Sequence, residues 1–218
     1  MCGRYGETEG AESLARRFRA TLRAPATGPR YNIAPTQHAP VLTREGGETF
    51  LSLYRWGLRP SWAKDGAPEP INARSEDAPA KPYFRAAFRS RRCLVPASGF
   101  YEWQKTADGK VPHWIHGADG EPLTFAGLWE VWTPRDAEPV HSFCILTTSP
   151  NRFMGPIHDR MPVILEGTER EAWLDPDAAP DDLRALMRPW DGTLRAYPVS
   201  TRVNSPRNDG AELIEPAG

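Results

Sequence analysis

Cysteine is scarce in this chain of 218 residues, which holds only Cys2, Cys93 and Cys144. An odd number at wide spacing argues against a disulfide framework and against paired metal-ligand spacing, and suits reduced thiols in a reducing compartment. Lysine is scarce too, with four residues against 23 arginines. The net charge of −1 lacks the positive excess that marks many nucleic-acid binders. A GC-rich coding sequence also favours arginine over lysine, so only arginines inside particular motifs carry weight. No apolar run approaches the roughly 20 residues that span a bilayer, and the N-terminus lacks the basic-then-apolar pattern of a secretory signal. A cytoplasmic location is expected. There is no Gly-rich phosphate loop and no G-x-S-x-G elbow. In "HWIH", His113 and His116 stand three apart on an expected strand and so face opposite ways. These absences predict no metal, no nucleotide cofactor and no membrane contact.

What is present reads as a globular protein, with 39% hydrophobic and 25% charged residues. The length predicts a single domain over 1–218, with a flexible tail from about 208. "EGAESLARRFRATL" spaces Leu14, Phe18 and Leu22 as a helical stripe, and "PYFRAAFRSRR" is a second helical candidate with a basic end. "CLVPASGFYEW", "VPHWIH", "PLTFAGLWEVW" and "VHSFCILTTS" mix β-branched and aromatic residues as strands do, and "LRAYPVS" closes the series. Two late helices follow from "EREAWL" and "PDDLRALM", the second with Asp181 or Asp182 as its cap. The 23 prolines imply many loops. The fold class expected is α+β: a mostly antiparallel, curled, barrel-like sheet with peripheral helices.

The opening "MCGRYGE" raises a chemical question. Aminopeptidases remove Met1 when the second residue is small, which leaves Cys2 with a free α-amine beside its thiol. No internal cysteine offers such a 1,2-aminothiol. Other polar residues stand in conspicuous settings. Asn72 and Arg74 lie in "PINARSED", Glu102 between aromatics in "GFYEWQK", His158, Asp159 and Arg160 in "GPIHDRMPVIL", and Asn32 in "YNIAPTQ". Each has a plain alternative. Glu102 suits the solvated face of a strand, with Tyr101 and Trp103 on the other face. Asp159 pairs with Arg160, Asn72 caps a helix, and Trp56, Trp62, Trp103, Trp129 and Trp132 fill the core.

Together "MCGRY", "YNIAPTQ", "WGLRPSW", "INARSED", "RRCLVPASGFYEW", "IHDRMPVIL" and "VSTRVNSPRND" resemble, in order and over nearly the whole chain, the SRAP family of abasic-site processing proteins. The resemblance implies a compact, largely β fold with one active site. It also implies single-stranded DNA containing abasic sites as partner, a covalent thiazolidine link from Cys2 to the abasic aldehyde, and possible lyase and crosslink-reversal activity. Cys2, Asn72, Glu102 and His158 match its active-site positions, and Arg4, Arg74 and Arg160 match basic positions near the DNA. Trp62 and Trp103 are candidates for base stacking, and Asn32 joins the DNA-binding set. Glu102 is assigned proton transfer at the amine, and His158 the sugar side. A monomer is expected. The rival reading is a cysteine-type autopeptidase or N-terminal-nucleophile hydrolase using Cys2. A non-catalytic binding module would leave the position of Cys2 unexplained.

Overall fold

Strand pairing begins with a hairpin whose turn is written in the sequence. In β4 (His38–Glu45) and β5 (Glu48–Trp56), Leu42 lies opposite Leu51 and Glu45 opposite Glu48. The two residues between them, Gly46 and Gly47, have φ of 56° and 86°, the left-handed pair that a two-residue hairpin turn requires. The structure, a computed structural model, describes residues 2–135 and 137–217. Within it β4 also pairs with β7 (Arg92–Ala97), β7 with β10 (Leu123–Trp132), and β10 with β11 (Val140–Thr148). A parallel contact from β11 back to β5, Phe143 beside Trp56, closes the ring into a five-stranded barrel. Closure removes the open edges that a curled sheet would otherwise leave. The short β2 (Thr21–Leu22), β6 (Asn72–Arg74) and β12 (Met161–Pro162) pair with barrel strands.

A second sheet runs in the order β13, β9, β8, β1, β3. These are Leu194–Pro198, Gly109–Gly117, Gly99–Thr106, Tyr5–Glu7 and Arg30–Ile33. Two faces follow from strand alternation. Leu42, Leu94, Leu128 and Leu146 pack with the helices α1 (Ala11–Arg17), α2 (Arg85–Ser90) and α3 (Thr168–Leu174), burying Leu14, Phe88 and Trp173. Val41, Trp56, Val95 and Phe125 pack instead with Tyr5, Ile33, Phe100 and Ile115 of the second sheet. Both clusters belong to a single compact domain, so the expected α+β, barrel-like architecture is the one observed.

Three local expectations need correction. The first helix stops at Arg17, and Leu22 lies in β2 rather than on the helix stripe. Helix α4 (Pro180–Leu186) starts with Pro180 in its first turn and Ala179 at the N-cap. Asp181 and Asp182 therefore stand inside the first turn, where they favour the positive end of the helix dipole without capping it. The tail from about 208 is laid against the sheet rather than loose. Asp209 accepts from the amides of Tyr31 and Asn32 at 2.6 and 2.9 Å, and Leu213 is buried. Removal of Met1 concerns a residue outside those described.

Candidate active site

Pairing of β1 with β8 sets the first relation. Tyr5 faces Phe100 and Gly6 faces Gly99, and the Tyr101 amide donates to the Arg4 carbonyl at 2.9 Å. The same register continued toward the N-terminus sets Gly3 opposite Glu102. Gly99 is required here, because a Cβ would lie 2.5 Å from the Trp114 ring and 2.6 Å from the Ile115 carbonyl. Alternation along β8 sends Tyr101 and Trp103 to one face, where both join the cluster of Trp114, Val203 and Leu213. Glu102 takes the opposite face, but that face is not solvated: the residue is 3% exposed.

The second relation comes from β11. β6 pairs in parallel with it, Asn72 beside Ile145 and Arg74 beside Thr147, while β12 returns to Thr147 and Thr148. The intervening loop is pinned by Asn151, whose Oδ1 accepts from the Met154 amide, and by a bond from the His158 amide to the Met154 carbonyl. Asn72 and His158 therefore gather at one end of one strand. Asn72 Nδ2 donates to the Cys2 carbonyl at 2.8 Å, and His158 Nε2 stands 3.7 Å from Glu102 Oε2. Burial and the nearby Glu102 carboxylate push the Cys2 thiol up. Cys2, Asn72, Glu102 and His158 thus form one connected group, drawn from four separate segments.

Electrostatics give these groups distinct states. Burial lifts Glu102 to about 7, with Asp159 adding to the effect, so its carboxyl exchanges protons near neutrality. Burial lowers His158. Its Nδ1 accepts from the Arg160 amide at 3.0 Å, which puts the neutral ring's proton on Nε2, facing Glu102. Asp159 Oδ1 also lies 3.0 Å from Nδ1, ready to accept if that nitrogen becomes protonated. The ring can therefore carry either charge state.

The remaining predicted residues divide by what already holds them. Asn32 is fully buried; its amide donates to the carbonyls of Val203, Ser205 and Asn208 and accepts from Arg4. Arg4 also donates to the Val203 carbonyl. Both fasten the C-terminal segment to β1 and β3. Arg160 forms a two-pronged pair with Glu76 at 2.7 and 2.9 Å and also reaches the Thr147 carbonyl. Asp159 is thus the neighbour of His158, and Arg160 that of Glu76, instead of each other's. Arg74 is exposed and stands two residues from Asn72 on β6. Trp103 is half-buried, its indole donating to Asn204 Oδ1 at 2.8 Å. Trp62 does not fill the core: it is 60% exposed on the loop leading to β6, with Tyr83 edge-on at 5.4 Å. Sequence reading did not single out Glu76, Asn204 or Asp209 as supports. "INARSED" contains Glu76, but nothing local names Arg160, 84 residues away, as its partner.

The sequence profile of the family described as SOS response associated peptidase (SRAP) matches residues 1–206. The chain is similar to the abasic site processing protein YoaM of Bacillus subtilis, 40% identical over 99% of this chain and 98% of that protein. It is also similar to the abasic site processing protein HMCES of Gallus gallus, 34% identical over 99% of this chain and 78% of that protein. A crystal structure of a protein from Bacteroides thetaiotaomicron superposes with a TM-score of 0.91 at 25% identity, over 99% of this chain and all of that one. Matched along nearly its full length in both sequence and fold, the chain belongs to the SRAP family.

Proposed function

We propose that this protein binds single-stranded DNA at abasic sites and links Cys2 covalently to the lesion. The observation that carries the reading is the gathering of Asn72, Glu102 and His158 around the Cys2 backbone and thiol. Once Met1 is removed, the Cys2 amine attacks C1′ of the open-chain sugar aldehyde, and loss of water gives an imine. The thiol then adds across the C=N bond: sulfur bonds to carbon, its proton passes to nitrogen, and a five-membered thiazolidine results. Glu102, titrating near 7, accepts the amine proton and returns one to the departing hydroxyl. Asn72 holds the Cys2 carbonyl, and its Oδ1, which has no hydrogen-bond partner among the described residues, accepts from the amine or a sugar hydroxyl. His158 presents its Nε2 to the sugar and assists β-elimination of the 3′ phosphate or reversal of the imine.

The order of steps matters for the peptidase alternative. A cysteine hydrolase needs a thiolate at the outset, whereas burial and Glu102 push the Cys2 thiol up. An amine-first condensation tolerates a neutral thiol until ring closure. Arg74 supplies a phosphate contact, and the exposed Trp62 a stacking surface that requires no particular base. The relatives named as abasic site processing proteins support the same substrate.

Intact-mass analysis after mixing with an oligonucleotide bearing one abasic site tests the proposal. The expected product has the mass of the Met1-less protein plus the oligonucleotide minus one water. Cys2→Ser leaves at most a borohydride-trappable imine. Unreacted wild-type protein under excess abasic DNA overturns the reading.

A further inference from the structure

Among the described residues two large hydrophobic side chains are exposed, Trp62 at 60% and Phe153 at 41%. They stand on loops that flank one strand end. Thr147 of β11 has Arg74 of β6 beside it on one edge and Pro162 of β12 on the other. The loop ahead of β6 carries Trp62, and the loop ahead of β12 carries Phe153 together with His158. This second loop is held at several points. Asn151 Nδ2 donates to the Trp190 carbonyl at 2.7 Å, and Gln104, on the same face of β8 as Glu102, donates to the Pro156 carbonyl at 3.2 Å. The Met154 carbonyl accepts from the amides of Ile157 and His158 at 2.8 and 2.9 Å. Met154 is fully buried, so its neighbours Arg152 and Phe153 take the outside of the turn. Packing within the chain accounts for Met154, but not for a phenyl ring presented to solvent on a pinned loop beside His158.

We propose that Phe153 stacks on a DNA base next to the abasic site, from within the gap that the missing base leaves, while Trp62 covers the base on the other side. The inference rests on the abasic single strand proposed above as substrate. A nucleotide without its base leaves the inner face of each neighbouring base uncovered. An apolar ring on a pinned loop covers such a face at little ordering cost and without hydrogen-bond readout. In an intact strand the base itself occupies that space, so Phe153 favours the lesion over undamaged DNA. Arg152 is exposed and makes no ion pair among the described residues. It sets positive charge beside the ring, which matches a polyanion with ring faces better than an apolar protein surface.

The test is fluorescence anisotropy with a short fluorescein-labelled single strand holding one tetrahydrofuran abasic analogue, which has no aldehyde and so reports binding without linkage. Phe153→Ala is expected to weaken binding by about fivefold to a hundredfold, the range for one lost base–aromatic stack, and Phe153→Tyr to retain it. Replacing one neighbouring base by a second tetrahydrofuran removes the ring's partner from the DNA side. On one flank this costs the wild-type protein the same factor and costs Phe153→Ala nothing further; on the other flank the same holds for Trp62→Ala. Equal affinity of Phe153→Ala and wild type, or losses that multiply on both flanks, overturns the proposal and leaves the substrate reading standing. Absence of wild-type binding to the oligonucleotide overturns the substrate reading and this inference with it. A dimer in sedimentation that Phe153→Ala dissolves, with DNA affinity unchanged, assigns the ring to a second copy of this chain instead.

Discussion

Glu102 and His158 face each other at 3.7 Å yet differ in what they can do near neutral pH. Glu102 is lifted to about 7 and so loses its proton as pH rises through that value. If its carboxylate is the base, the rate of adduct formation climbs through pH 7 and continues upward as the Cys2 amine, with an ordinary pKa of roughly 7.7 to 8.0, is freed. Glu102→Gln keeps the shape but removes the lower limb. Its rate at pH 7 falls by roughly 10²- to 10⁴-fold, the usual range for a lost general base, and the profile shifts upward. His158→Ala spares adduct formation and slows strand cleavage or reversal. A time course on labelled abasic DNA resolves the two steps, and equal losses in both for both variants would show a single coupled unit. The arginines separate on similar grounds. Arg74 is exposed and free of ion pairs among the described residues, so Arg74→Ala reduces the slope of log affinity against log salt by about 0.7, one phosphate's worth on a single strand. Arg160→Ala instead releases Glu76 and loosens the loop that carries His158. It therefore harms chemistry as well as binding. The chemically distinctive residues were legible because an aminothiol or an acid between aromatics is conspicuous in one short stretch. Their supports were not, since Glu76 with Arg160, or Asn204 with Trp103, meet only after the chain has folded.

At the scale of elements, the strands were readable and their closure was not. Val, Ile and aromatic residues mark β7, β10 and β11, whereas the Gly46–Gly47 turn that joins β4 to β5 went unread. The parallel contact of Phe143 with Trp56 that shuts the barrel has no local signature. The same holds for the basic end of "FRSRR". Arg92 does not finish a helix; it starts β7, buried, with its guanidinium donating to the carbonyls of Phe88, Arg89, Trp173 and Asp175. It thereby satisfies the open C-terminal carbonyls of α2 and α3 together. Trp173 adds to this joint, its side chain fully buried and its indole donating to the Cys93 carbonyl at 3.0 Å. Trp173→Ala is expected to cost about 3–5 kcal/mol in urea unfolding, through the cavity left and the lost bond. Arg92→Lys, which keeps the charge but not the planar fork, costs at least about 1 kcal/mol. A loss below about 0.5 kcal/mol for Arg92→Lys would mean that water caps these helix ends equally well.

For the whole molecule, the buried acids set how stability varies with pH. Glu7 on β1 and Glu102 on β8 are each lifted by burial from an ordinary value of 4.5 to about 7. Between those two values the native state holds protons that the unfolded chain has released. Stability therefore falls as pH rises across this window and levels off above about 7. Glu76 has the opposite sign: Arg160 holds it down to about 2, so its contribution is present above 4.5 and is lost as pH falls toward 2. These groups together predict greater stability near pH 5 than near pH 8. Glu102 cannot be relieved without losing the proposed base, which makes its cost part of the site. Glu7 is under no such constraint. It is 1% exposed, its Oε1 accepts from the Glu9 amide at 2.8 Å, and its Oε2 has no hydrogen-bond partner among the described residues. Glu7→Gln keeps the amide bond and removes the charge that burial penalises. A tenfold change in proton affinity is worth about 1.4 kcal/mol, so the substitution should narrow the pH 5 to pH 8 difference by roughly 1–3 kcal/mol, while adduct formation at pH 7 stays unchanged. Urea unfolding of both proteins at the two pH values measures this directly. An unaltered pH difference would show that the Glu7 carboxylate is hydrated after all, and would leave Glu102 as the acid whose ionisation the fold opposes.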